Sequence, residues 1–376
     1  MKEGTTNCRK SSKLSAEVQL FDWKIENDCR TLNVFFRIDH NIPRGHMEQR
    51  QFGRTSLMVS TIGFGAWGIG GPAMAGDIPI GWGDVDDTTS VRALQRAAER
   101  GVTFYDTADF YGLGHSEELI GRVFGNTNGI VVATKVGHRL NSDGSITLDY
   151  SKKYILSACE QSLRRLHRHA IDYYQLHSAR QVHLEQGECI DAMEKLRQDG
   201  KIRFWGLSLN TFTPEAEANF MMEHALGHGF QLALNIINQR ALPLVEKARA
   251  RGYGIIARMP LQFGLLTGKI TRETIFAAND HRSFRLTPRI IETTLDALRF
   301  LEPVQRRLGI SKTSLALSYC TSVHGVSTVI PGMKTPDQAD QNTSDIVQLS
   351  PADMELIHDL FKQRLSAVVD LMKEQG

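Results

Sequence analysis

An α/β fold, with eight parallel strands closed into a barrel and wrapped by helices, is what this sequence predicts. Three observations carry the prediction. Short apolar runs alternate with amphipathic segments along most of the chain, eight runs in all. Gly101, Gly200 and Gly252 stand where helical patterns stop, as C-terminal caps do. Asp106, Lys135 and His177 fall at the carboxyl ends of three successive apolar runs, the rim where such a barrel places its chemistry.

In chain order, residues 1–46 begin polar and Lys/Ser-rich, carry isolated apolar patches such as Val34-Phe35-Phe36, and show no sustained period. They are expected to form a disordered or loosely packed extension, so that the barrel domain spans residues 47–376. A hairpin is expected after Met47, around Gln51-Phe52-Gly53-Arg54-Thr55-Ser56. Strands are expected at 61–65, 103–106, 130–135, 171–177, 203–208, 230–236, 254–257 and 327–330. Helical patterns lie between them at 87–100, 150–166, 190–197, 214–225, 242–251 and 311–321. Two further helical stretches, 286–308 and a pair over 351–372, are additions expected to pack on the barrel wall.

A doubly wound open sheet is the competing layout, and it places a glycine-rich turn between its first strand and first helix. Gly63, Gly65, Gly68, Gly70 and Gly71 supply the glycines, but a long Gly/Pro-rich loop from Pro72 to Trp82 follows them instead of a helix.

Composition narrows the function. Apolar content is 41% and charged content 23%, ordinary for a globular chain. A net charge of +2 gives no footing for nucleic acid or an anionic membrane surface. No apolar run reaches the roughly 18 residues of a membrane helix, and the N-terminus lacks the apolar core of a secretory signal. Five scattered cysteines without a CxxC pair fit a reduced, cytoplasmic chain. No HExxH or clustered Cys/His set suggests a metal, and no Gly-x-Ser-x-Gly suggests a hydrolase elbow.

The stretch Phe104-Tyr105-Asp106-Thr107-Ala108-Asp109-Phe110-Tyr111-Gly112 runs from a strand into a loop, and His115-Ser116-Glu117-Glu118 then opens a helix. Tyr111 therefore stands just beyond the strand end that carries Asp106. A phenol has a reference pKa of about 10 and is a reluctant acid at neutral pH. A neighbouring ammonium favours the phenolate. Asp106 is expected to anchor Lys135 and keep it charged, while His177 orients a carbonyl oxygen or shares the proton relay. These four residue types suit carbonyl reduction.

The ordered pieces Asp106-Thr107-Ala108-Asp109-Phe110-Tyr111-Gly112, Ala133-Thr134-Lys135, Asp172-Tyr173-Tyr174-Gln175-Leu176-His177, Gly206-Leu207-Ser208-Leu209-Asn210 and Ile330-Pro331-Gly332 resemble the aldo-keto reductase superfamily, over residues 47 to about 349. The resemblance implies a TIM barrel and a catalytic set of Asp106, Tyr111, Lys135 and His177, with Tyr111 as general acid. It also implies an extended nicotinamide dinucleotide across the barrel mouth. Ser208, Asn210 and Gln231 would hold its carboxamide and Arg258 would stack on the nicotinamide. Pro260, Leu261, Gly264 and Leu266 would line the pyrophosphate. Lys334, Thr335, Gln338, Gln341 and Asn342 would hold the adenosine end, with Lys334 meeting a 2′-phosphate. NADP(H) is the implied cofactor and NAD(H) the alternative, because relatives carry a basic residue at Gln338 and an acid at Gln341. Ala66 replaces a common threonine and Leu209 the usual asparagine. Asn279-Asp280-His281-Arg282 resembles a turn of one bacterial branch near the cofactor or substrate lid. Trp67 and Phe110 are the expected substrate walls, ahead of Trp82 and Phe263.

The implied function is NADP(H)-dependent reduction of an aldehyde, ketone or sugar carbonyl, with a small carbonyl or alcohol as partner. The alternatives are an NAD-linked sugar or polyol dehydrogenase and a non-catalytic nucleotide-sensing subunit. A barrel hydrolase or isomerase leaves Tyr111 and Lys135 without a role.

Overall fold

A computed structural model describes residues 1, 47–76, 78–277 and 280–375. The expected extension, from residue 2 to residue 46, lies outside the described residues, as does Asn279.

Eight parallel strands form the centre: β1 (Phe64–Gly65), β2 (Phe104–Asp106), β3 (Val131–Val136), β4 (Ile171–His177), β5 (Ile202–Ser208), β6 (Gly229–Ala233), β7 (Gly254–Arg258) and β8 (Thr328–Ile330). Each pairs with the next in sequence. Bridges Ile62–Val329 and Gly65–Gly332 join the last strand to the first, so the sheet closes as a TIM barrel. Helices α1 (Asp87–Glu99), α2 (His115–Phe124), α3 (Lys152–Arg165), α4 (Glu188–Gln198), α5 (Glu215–Glu223), α6 (Leu242–Ala250) and α7 (Lys312–Ser322) supply the crossovers. Their starts are set locally: Asp86, Ser151 and Ser311 accept from backbone N–H groups in the first turns of α1, α3 and α7.

Strand periodicity sorts the side chains into two cores. Tyr105, Val132, Tyr174, Leu207, Phe230 and Ile255 face the helices. Phe104, Val131, Ala133, Tyr173 and Ile256 face the barrel axis. The N-terminal hairpin, Gln49–Gln51 with Met58–Ser60, lies at the barrel's amino end. Its loop pushes Phe52 up the axis against Tyr173, with ring centres 4.8 Å apart. A Cβ on Gly254 or Gly229 would sit within 2.7 Å of the Phe52 ring, so only glycine leaves room for this stopper. Phe52→Ala is expected to cost about 3–5 kcal/mol of stability, read as a lowered urea midpoint, with turnover per folded molecule unchanged.

Four stretches differ from expectation. The Pro72–Trp82 loop contains a small hairpin, Met74–Ala75 with Ile78–Pro79. The sixth strand ends at Ala233, because Asn235 folds its carbonyl onto the N–H groups of Ile237 and Asn238. The C-terminal pair is one helical run, Pro351–Leu360 and Ser366–Gln375 joined through a π turn at Phe361–Leu365. The stretch 286–308 divides into Pro288–Leu298 and Glu302–Leu308 across a 3₁₀ turn. Among the described residues no helix is long and apolar enough to cross a membrane.

Candidate active site

The axis-facing positions are apolar in the lower barrel and turn polar near the carboxyl rim. Phe104 gives way to Asp106, Ala133 to Lys135, Tyr173 to Gln175 and His177, and Ile256 to Arg258. Strand register brings these residues level: Gln175 lies beside Lys135, and Ser208 beside both His177 and Gln231. Residues far apart in sequence thus share one polar layer over an apolar plug.

Lys135 is the hub, with a side chain 0% exposed. Its ammonium donates to Asp106 Oδ2 at 2.6 Å, to the Thr107 carbonyl at 2.8 Å and to the Tyr111 hydroxyl at 3.2 Å. Burial alone would discharge the amine. The Asp106 carboxylate and the Tyr111 oxygen outweigh that penalty, so the pKa of Lys135 is raised and the charge is kept. Asp106 is held in turn: its Oδ1 accepts from Gln175 Nε2 at 3.0 Å and from Gln231 Nε2 at 2.7 Å. A buried ion pair is tolerable only with its remaining sites filled in this way.

His177 stands nearly perpendicular to Tyr111, at 85° with ring centres 6.0 Å apart. His138 packs edge-on against it at 4.3 Å. Burial, with the neighbouring His138, Lys135 and Arg258, holds the His177 pKa well below the ordinary imidazole value. It is therefore neutral at physiological pH and can donate from one ring nitrogen.

Two cavities meet at Tyr111. The larger, about 400 Å³, is lined by Trp67, Phe110, Tyr111, His177, Ser208, Gln231 and Arg258 among others. The smaller, about 190 Å³, runs past Gly65, Gly68, Pro260, Leu261, Gly264, Gly332, Lys334 and Gln338. Trp67, Tyr111, Gln262 and Phe263 belong to both walls. Met259, Gln262 and Phe263 hold left-handed backbone conformations there. Such outliers cost of order 1–3 kcal/mol each and gather at functional loops.

The other expected cofactor residues divide: Gln231, Arg258 and Gln338 line the cavities, whereas Asn210, Leu266, Thr335, Gln341 and Asn342 do not. Asn210 Oδ1 accepts from the N–H groups of Phe212 and Thr213 and from the Thr213 hydroxyl, closing its own turn. The Gln231 amide nitrogen is committed to Asp106 and Gln175. Arg258 donates to the Leu209 carbonyl and to Thr211 Oγ1. Leu266 is buried in the outer core below the groove. Thr335 caps the helix Pro336–Thr343 by accepting from Gln338 N–H, and Gln338 Oε1 accepts from Lys334 N–H. Gln341 is exposed and accepts from Lys269, while Asn342 is buried and donates to the Gly332 carbonyl.

The smaller cavity suits an extended nucleotide. A Cβ on Gly332 would meet no protein atom within 4 Å, so this glycine leaves the groove open. The Lys334 stem lies against Gly68, where a Cβ would come within 2.7 Å of Lys334 Cγ.

Several site residues were missed from sequence. Gln175 is one, although period-two counting from Tyr173 to His177 places it on the axis. His138, three residues past the strand's axis-facing Lys135, is another. Arg285 and Met372 line the larger cavity from additions to the barrel, and no period in the sequence points them there; His281, from the turn expected near a lid, lines it beside them.

The sequence pattern described as the Aldo/keto reductase family matches residues 61–362. An aldo-keto reductase of Bacillus subtilis is 30% identical over 307 residues, covering 78% of this chain and 86% of that protein. An L-glyceraldehyde 3-phosphate reductase of Escherichia coli O157:H7 is 27% identical, covering 83% of this chain and 91% of its own length. The glycerol dehydrogenase structure from Gluconobacter oxydans superposes with a TM-score of 0.72 at 28% identity, covering 84% of this chain and 95% of that one. The polar rim layer, the paired cavities and these likenesses converge: the chain belongs to the aldo/keto reductase family and is an oxidoreductase.

Proposed function

We propose that the protein reduces an aldehyde, ketone or sugar carbonyl with NADP(H), and that Tyr111 is the general acid. One observation carries the reading. Lys135 places its donors on Asp106, Thr107 and the Tyr111 oxygen. The Tyr111 oxygen therefore accepts on its inner side, which leaves its own proton to be donated outward, where the two cavities meet.

The rest follows from the residues. A carbonyl oxygen in that cavity fits between the Tyr111 hydroxyl and the neutral His177 ring, which orients it. When bound, the reduced nicotinamide supplies the hydride to the carbonyl carbon. Tyr111 gives its proton to the oxygen, and the buried Lys135 charge stabilises the phenolate left behind. Trp67 and Phe110 wall the cavity and exclude water. Pro260, Leu261 and Gly264 would border the pyrophosphate, and Lys334 the 2′-phosphate. Following nicotinamide absorbance over a panel of carbonyls, with NADPH and NADH, tests the proposal; no turnover with either nucleotide would sink it.

Lys334 is the single cation between residues 330 and 342. Lys334→Met is expected to raise KM for NADPH about tenfold, the loss of one charged hydrogen bond, and to leave KM for NADH unchanged. Equal effects on both nucleotides would place Lys334 away from the 2′-phosphate. A second reading, an NAD-linked polyol dehydrogenase, draws support from that lone cation and from the likeness to a glycerol dehydrogenase.

A further inference from the structure

We propose that His281 hydrogen-bonds a hydroxyl group of the substrate and so selects hydroxylated carbonyls over plain ones. This rests on the carbonyl-reductase reading and names the substrate class for it. His281 is 1% exposed, yet neither ring nitrogen makes a well-formed hydrogen bond among the described residues; the Gly81 carbonyl approaches the ring and can take at most one of the two nitrogens, leaving the other without a partner. Asp280, its nearest carboxylate, is 3.8 Å from Nδ1 and is gripped by the Arg282 guanidinium through both oxygens.

Three rings fix the imidazole: Trp67 at 4.8 Å, Trp82 at 4.4 Å and Phe263 at 5.2 Å between centres. The ring cannot swing away to find a partner, and it lines the same cavity as Tyr111 and His177. An unsatisfied buried polar group costs about 1–3 kcal/mol. It is explained where a ligand completes it.

The chemistry of the ring names the ligand. Burial, helped by the charge of Arg285, pushes the His281 pKa down to about 4. A neutral imidazole presents one donor and one acceptor, which complements an alcohol better than an anion or an ammonium. Among the described residues no cluster of metal-binding side chains competes for it.

Glyceraldehyde and propanal share a three-carbon chain and differ only in two hydroxyls, so their kcat/KM ratio isolates the contact. His281→Phe keeps the ring and removes both nitrogens; it is expected to lower that ratio about fivefold or more, chiefly through KM. His281→Asn, which restores a donor and an acceptor, should recover part of it. A ratio unchanged in both variants overturns the assignment, whether the absolute rates fall together or stay level. If glyceraldehyde is not turned over while other carbonyls are, this assignment falls alone; if no carbonyl is turned over with NADPH or NADH, the carbonyl-reductase reading falls and takes this one with it.

Discussion

Tyr111→Phe is expected to lower kcat by about 10²–10⁴-fold, the usual worth of a positioned general acid, with nucleotide affinity unchanged. The substitution removes one oxygen and little else. The ring keeps its stacking on Trp67, at 6.1 Å and 26°, and its place beneath the Lys135 ammonium, 4.8 Å from the ring centre. What disappears is the acceptor for Lys135 and, with it, the proton proposed to pass to the substrate. An interaction made only as the proton transfers appears in kcat and kcat/KM together, not in KM. Single-turnover absorbance and a fluorescence titration with nucleotide separate the two quantities. A phenylalanine variant that works at the wild-type rate would remove Tyr111 from the chemistry.

Lys135→Met should abolish turnover and also destabilise the fold by about 3–5 kcal/mol, as breaking one side of a buried ion pair does. It leaves Asp106 buried with only the amides of Gln175 and Gln231 for company. Adding Asp106→Asn should recover most of the stability and none of the activity. Equilibrium unfolding in urea, beside the activity assay, reads both. If the double variant is no more stable than the single one, uncompensated charge is not the cause. The pH dependence has a definite sign. Because the folded pKa of Lys135 is raised, its stabilisation is fully present below the unfolded value of about 10.4 and is lost only as pH rises through the folded one. Wild-type stability near neutrality therefore owes no slope to this residue.

The barrel was legible because its strands carry strong local signals. Residues 171–177 read as a strand and form one over the same span, bounded by turns and filled with apolar and aromatic side chains. The sixth strand was overrun because Leu234 and Ile236 continue the apolar run, while the turn is made by Asn235, a side chain acting on backbone. The π turn at Phe361–Leu365 escaped because one added residue scarcely disturbs a helical period. Asp106, Tyr111, Lys135 and His177 were readable from strand ends and from resemblance. The partners that hold them, such as Gln175 on Asp106, required knowing which face of a strand looks inward. His281 depended on a loop outside the repeating pattern, whose position follows from tertiary packing against Trp67 and Trp82.

Phe52 and Tyr173 make the barrel a blind well, with traffic at one end only. Were the nucleotide to lie beneath the substrate, it would arrive earlier and depart later, and loading and unloading would follow a fixed sequence. Product-inhibition patterns would expose that queue, and the slowest departure would then set the pace of the cycle, whatever the speed of the chemistry.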